Sequence, residues 1–187
     1  MAGRLAMLVL AGGLLVFATS SPAGGDGPAA TRLPTPLDLV DYPSGTRPPT
    51  FSGGTLEGRQ VSLTELRGKV IIVNFWASWC RECRPEMPML ERLHREYAAR
   101  GLVIIGINAR EGREEVGRYA TELGLTFPLV LDPEGTTTVL YGVIAIPTTF
   151  VVGRDGRAVA FAVGPREWAG AAARTLIEAL LAEPLPR

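Results

Sequence analysis

The chain has 187 residues, enough for one domain with a sizeable core and an additional segment. Nineteen basic residues balance nineteen acidic ones, and no basic tract occurs, so nothing points to nucleic acid as a partner. Apolar residues make up 47% and aromatics 7%, an ordinary globular mixture.

The N-terminal stretch stands apart. Arg4 precedes the apolar run Leu5–Ala18, and no charge appears before Asp26. A positive start, an apolar middle and small polar residues describe an export segment, with Ala18-Thr19-Ser20 as a candidate cleavage site. Uncleaved, the 21 uncharged residues are long enough to cross a bilayer. Residues 1–25 are therefore read as a signal peptide or an N-terminal membrane anchor. A buried helix of a soluble domain fits poorly, because the run has no polar face. The domain behind it is expected on the extracytoplasmic side, membrane-anchored or secreted.

Residues 26–48 are read as a tether rich in proline and glycine. Pro28, Pro34, Pro36, Pro43 and Pro48 forbid a long helix or a central strand there. Within it, Leu37–Val40 is a short apolar stretch able to pack onto the domain that follows. That domain is placed at 49–187.

From Phe51 onward, periodicity predicts an α/β unit. A hairpin turns at Glu57-Gly58, and the LTELRG stretch after it forms a short helical turn. KVIIVNFWA is apolar nearly throughout, as a strand covered on both faces requires. A helix from about Cys80 to Arg100 places Met87, Leu90, Leu93 and Tyr97 on one side. LVIIGIN is a second buried strand. Glu114–Leu123 reads as a helix, FPLVLD as a short strand, and TTTVLYGV as helical into a turn. TTFVV and RAVAFAV, joined by GRDG, form an antiparallel hairpin. An Ala- and Leu-rich helix closes the chain. Strand–helix–strand order followed by a hairpin implies a mixed central sheet with helices on both faces, an α/β fold. Trp76 and Trp168 are expected in the core, and His94 on the surface.

The only cysteines, Cys80 and Cys83, sit three apart. A strand ends at Trp76, and a tight loop, Ala77–Trp79, delivers Cys80 to the start of a helix. Unpaired N–H groups there favour a thiolate over a thiol. The second sulfur lies one turn on, so a mixed disulfide at Cys80 can be resolved by Cys83 at high effective concentration. Three alternatives compete. A zinc site needs two more ligands, and the chain offers no further cysteine and one histidine, so no metal is expected. A structural clasp is compatible with export, but so short a loop adds little stability. Inert buried thiols fit poorly at this spacing beside Trp79. A dithiol next to a strand–helix–strand pattern favours redox chemistry.

The stretch NFWASWCRECRPEMP resembles the active-site segment of the thioredoxin superfamily. It is most similar to the exported ResA/TlpA-like thiol-disulfide oxidoreductases, which contain a redoxin domain. The likeness extends over about residues 49–183 and includes LRGKVIIVNFW, YGVIAIPTTFVV and the Gly-Asp turn that follows. It implies a thioredoxin-like fold with an N-terminal hairpin and a central helix–strand insertion within residues 114–143. It also implies site roles. Cys80 is the attacking, more exposed thiol and Cys83 the resolving one. Pro147 corresponds to a cis-proline facing the dithiol, and Ile146 offers its backbone to a substrate strand. Pro88 kinks the helix. Trp79 shields the dithiol and contributes to a docking surface. Glu86, one turn after Cys83, is a candidate proton relay and would raise the pKa of nearby thiols. Ordinary thioredoxins bury an aspartate at the position of Asn74, so its absence leaves Glu86 as the candidate proton acceptor. Arg81-Glu82 also departs from relatives with proline before the second cysteine.

The activity so implied is protein-disulfide reduction without a bound cofactor. Its substrates would be protein disulfides, with apocytochrome c in cytochrome c maturation as one candidate, and a membrane thiol-transfer protein would supply electrons. Other readings are a peroxiredoxin-like peroxidase, a disulfide oxidase and a tethered non-enzymatic binding module. Against the peroxidase, Ala77 occupies the place, three residues before the cysteine, where a peroxidatic loop has threonine.

Overall fold

The computed structural model describes residues 37–185. Its strands are β1 (Val40–Asp41), β2 (Ser52–Gly54), β3 (Gln60–Ser62), β4 (Val70–Trp76), β5 (Leu102–Ala109), β6 (Leu129–Asp132), β7 (Thr148–Val152) and β8 (Ala158–Val163). Its helices are α1 (Cys83–Tyr97), α2 (Arg113–Leu123), α3 (Thr136–Leu140) and α4 (Ala171–Ala182), with 3-10 turns at Leu63–Leu66 and Ala98–Arg100. Six strands form one mixed sheet in the order β1-β8-β7-β4-β5-β6.

The run at 70–76, apolar except for Asn74, is central because both its neighbours bury it. It pairs parallel with β5 and antiparallel with β7, and all seven of its residues are buried. Alternation divides its side chains. Val70, Ile72 and Trp76 face a core built with Met87, Leu90, Leu93 and Tyr97 of α1, Val116 of α2 and Leu176 of α4. Ile71, Val73 and Phe75 face a second core with Phe51, Leu63, Tyr141 and Phe150. Each of the large apolar side chains so buried is worth about 1.5–3 kcal/mol relative to its exposed state. Helices thus cover both faces, α1, α2 and α4 on one and α3 with the first 3-10 turn on the other.

Gly106 explains itself in the middle of β5. A Cβ there would lie 2.9 Å from both Leu129 Cδ2 and Trp76 Nε1, so glycine leaves room for the indole and Leu129 against the strand. The β2–β3 hairpin covers the β6 edge. Leu56 N–H donates to the Leu129 carbonyl at 2.8 Å, and Thr55 bridges Val130. An otherwise open strand edge is closed this way.

Three sequence expectations change. The domain begins before residue 49: Leu37 is 2% exposed, β1 pairs with Phe161 and Ala160 of β8, and Tyr42 N–H donates to the Val159 carbonyl. The prolines here tolerate this because Pro43 sits in a turn, accepting from Thr46 N–H, where its missing donor is not needed. Helix α1 starts at Cys83 rather than Cys80, since Cys80 N–H closes a turn on the Ala77 carbonyl. His94 is half-buried against Phe127 rather than on the open surface, because it flanks the Leu90–Tyr97 stripe. Burial lowers its pKa. The expected export segment, residues 1–25, and the first part of the tether lie outside the described residues. Among the described residues no helix is long and apolar enough to cross a membrane.

Candidate active site

The dithiol forms where β4 hands the chain to α1. Cys80 and Cys83 are joined by a disulfide with Cα atoms 5.3 Å apart. The Cys83 backbone N–H, one of the unpaired donors of the first helical turn, points at Cys80 Sγ from 3.1 Å. A thiolate at Cys80 would receive that donor and the positive end of the helix. Cys80 is 4% exposed and Cys83 not at all, so Cys80 is the more exposed of the pair, although both are largely enclosed in the disulfide form. Trp79, next to Cys80 in the chain, is 69% exposed. Arg81 and Glu82 are also exposed.

The hairpin strand β7 brings the second wall. The Ile146–Pro147 peptide is cis, Pro147 is buried, and the Ile146 carbonyl oxygen lies 3.7 Å from Cys80 Sγ. Gly164 N–H donates to the Pro147 carbonyl at 2.8 Å, which ties this loop to the end of β8. Cys80, Cys83, Ile146 and Pro147, separated by more than sixty residues in sequence, therefore meet.

Glu86 lies beneath. It is one turn after Cys83 on α1 and 1% exposed. Its Oε1 accepts from the Arg166 backbone N–H at 3.0 Å and the Trp168 indole N–H at 2.7 Å. Its Oε2 accepts from Asn74 Nδ2 at 3.1 Å, and that amide also donates to Thr149 Oγ1 at 2.9 Å. Burial pushes the Glu86 carboxyl up, and its three donors together with the Arg166 charge recover only part of the shift. A buried carboxyl with a raised pKa, one helical turn after the second cysteine of a dithiol, is suited to take and return a proton.

A second network was not anticipated. Glu111, in the loop after β5, accepts from the Ser78 backbone N–H at 2.6 Å and from the Ser78 hydroxyl. Asn108 Nδ2 holds the same carboxylate at 2.7 Å. Together they fix the Ala77–Trp79 loop that delivers Cys80. Trp168 was likewise read only as packing. Neither role has a local sequence signal, because the partners lie 33 and 82 residues apart.

A strand leading into a helix that opens on a reversible pair of sulfurs, faced by a cis-proline loop, defines a thioredoxin-like dithiol protein. The chain belongs to the AhpC/TSA family, whose profile matches residues 44–160. It is similar to the thiol-disulfide oxidoreductase ResA of Geobacillus thermodenitrificans, 39% identical over 113 residues. That match covers 60% of this chain and 65% of the relative, so it spans just under two thirds of that protein's length. The thioredoxin-like protein YneN of Bacillus subtilis is 38% identical over 120 residues, covering 63% of this chain and 69% of the relative. Among solved structures, a thiol:disulfide interchange protein of the thioredoxin family from Chlorobium tepidum superposes with a TM-score of 0.67 at 31% identity. It covers 75% of this chain and 99% of that one.

Proposed function

We propose that the protein is an extracytoplasmic thiol-disulfide oxidoreductase that works mainly as a protein-disulfide reductase. The observation that carries this reading is the Cys80–Cys83 disulfide at the mouth of α1, with a backbone N–H aimed at Cys80 Sγ. In the reduced protein the Cys80 thiolate attacks one sulfur of a substrate disulfide. An S–S bond forms to Cys80, the substrate S–S bond breaks, and the first substrate thiolate leaves. Cys83 then loses its proton to Glu86 and attacks Cys80 Sγ, expelling the second substrate thiolate. Two electrons pass from the dithiol to the substrate. The protons of the two enzyme thiols end on the substrate thiols, the second by way of Glu86 or water.

The charge near the dithiol supports the reducing direction. A dithiol whose thiolate is strongly stabilised makes an oxidising couple. The buried Glu86 carboxylate opposes thiolate formation, so it favours a reducing couple and argues against an oxidase. Trp79, the Ile146 backbone and Pro147 are the proposed substrate contacts. Extracytoplasmic placement and attachment through residues 1–25, as a signal peptide or anchor, are supported by the sequence of that segment. We extend the reading to reduction of the paired cysteines of apocytochrome c, with a membrane thiol-transfer protein restoring the dithiol. That substrate rests on the resemblance of NFWASWCRECRPEMP to the exported ResA/TlpA-like oxidoreductases.

The test is stoichiometric reduction of an oxidised CxxCH peptide by the reduced protein, with hydrogen peroxide as the competing substrate. The expected result is fast reduction of the peptide disulfide, abolished by Cys80→Ser, with slow peroxide turnover. Faster consumption of peroxide than of the disulfide would instead make the protein a peroxidase.

A further inference from the structure

Glu86 is held asymmetrically, and the asymmetry has a chemical consequence. Both partners of Oε1, the Arg166 backbone N–H and the Trp168 indole N–H, can only donate. A proton placed on Oε1 would point at one of these donors. Oε2 faces the Asn74 side-chain amide, which has an acceptor as well as donors. Asn74 Oδ1 is buried and has no partner, so rotation of the amide would present it to a protonated Oε2. Thr149 Oγ1, now accepting from Asn74, can donate to the rotated amide. The Glu86–Asn74 hydrogen bond can therefore be kept in both states, with Nδ2 donating to the carboxylate and Oδ1 accepting from the neutral acid.

We propose that Trp168 is a positioning residue for thiol–disulfide exchange: with the Arg166 backbone N–H it occupies Oε1 of Glu86, so that the proton Glu86 takes up resides on Oε2, against Asn74. This rests on the reading of Glu86 as the proton acceptor of the exchange. The loop that carries Trp168 is built to hold still. Trp168 is fully buried in the same core as Leu37, and the Arg166 guanidinium donates to the carbonyls of Gly164, Pro165 and Asp38. Among the described residues, the charged group that bears on Glu86 is the Arg166 guanidinium, and Cys83 lies one turn before it on α1. Asn74 of β4 and, behind it, Thr149 of β7 are its uncharged neighbours. Asp38 reaches Arg166 through its backbone carbonyl.

The test uses the full-length reduced protein and a chromogenic aromatic disulfide. Attack by Cys80 releases a first coloured thiolate, and resolution by Cys83 releases a second, so the two steps are timed separately. In Trp168→Phe, Oε1 loses its indole donor, the carboxylate is less favoured, and a smaller fraction of Glu86 is ionised to take the Cys83 proton. The pH profile of the second step should move to higher pH. At neutral pH that step should slow roughly tenfold, the scale of one hydrogen bond to a charged group. In a Glu86→Gln background the same substitution should leave the second step unmoved. Benzothienylalanine at position 168 keeps the two-ring shape without the N–H and guards against loss of folding; it should behave as Trp168→Phe. Superimposable second-step profiles for wild type and the benzothienylalanine variant would overturn the proposal. An equal shift in the Glu86→Gln background would overturn it too, by showing that the ring acts only through packing. A wild-type protein that releases no second thiolate would overturn the dithiol reading itself, and this inference with it.

Discussion

Replacing Glu111 with alanine should loosen the loop that delivers Cys80 while leaving the dithiol chemistry untouched. Three donors lose their acceptor: the Ser78 backbone N–H, the Ser78 hydroxyl and Asn108 Nδ2. Ser78 is half-buried, so water can replace the carboxylate at its two donors for a net loss of about 1 kcal/mol. Asn108 is fully buried and its Oδ1 already lacks a partner. Orphaning its Nδ2 as well costs about 2 kcal/mol. The expected destabilisation is about 3 kcal/mol, a fall in Tm of roughly 6–12 °C for a domain of this size. Glu111→Gln keeps the shape and one acceptor oxygen, and should lose only about 1 kcal/mol. Urea unfolding of the oxidised proteins, with equal m-values confirming a like-for-like comparison, measures both. If Glu111→Ala falls within about 0.5 kcal/mol of wild type, the usual range of an inconsequential surface change, the carboxylate does not clamp the loop.

Glu86→Gln should change how stability depends on pH. Burial raises the Glu86 pKa above its ordinary value of 4.5, so the folded state holds the proton more tightly than the unfolded chain. The stability contributed by protonated Glu86 is fully present below the unfolded value and is lost as pH rises through the raised folded value. The glutamine variant should lack this loss, and its advantage over wild type should grow from pH 4 to pH 8. A constant difference in urea midpoint across that range would rule the buried-carboxyl account out. Leu37→Ala should cost about 2–3 kcal/mol, the low end for a buried leucine near the margin of a core. Unchanged thermal stability in that variant would mean that the segment ahead of β1 does not dock.

The parts of this structure written in the sequence are those set by local pattern. The runs at 70–76 and 102–109, apolar but for one asparagine each, pointed to central strands, and the spacing of Met87, Leu90, Leu93 and Tyr97 fixed the buried face of α1. The pairing of Cys80 with Cys83 was legible from a three-residue spacing at a strand-to-helix turn. What stayed hidden depends on chain reversal. Glu111 looked like any acidic residue ahead of a helix, and only the β4–β5 register, which sets Trp76 beside Asn108, brings it to Ser78. Trp168 looked like packing for α4, and only the turn after β8 aims its N–H at Glu86. The packing of Leu37–Val40 was legible from its apolar residues, but the extension of the folded domain through residues 41–48 was masked by prolines, which suit an edge strand and its turn as well as a free tether.

The central claim is that Cys80 forms the bond to substrate and Cys83 breaks it. The most direct measurement is trapping with Cys83→Ser, which leaves an attacking sulfur without its resolving partner. Incubated with an oxidised CxxCH peptide, this variant should accumulate a stable mixed disulfide that mass mapping assigns to Cys80, and Cys80→Ser should accumulate none through the enclosed Cys83. A trapped adduct on Cys83, or no adduct with either variant, would contradict the account.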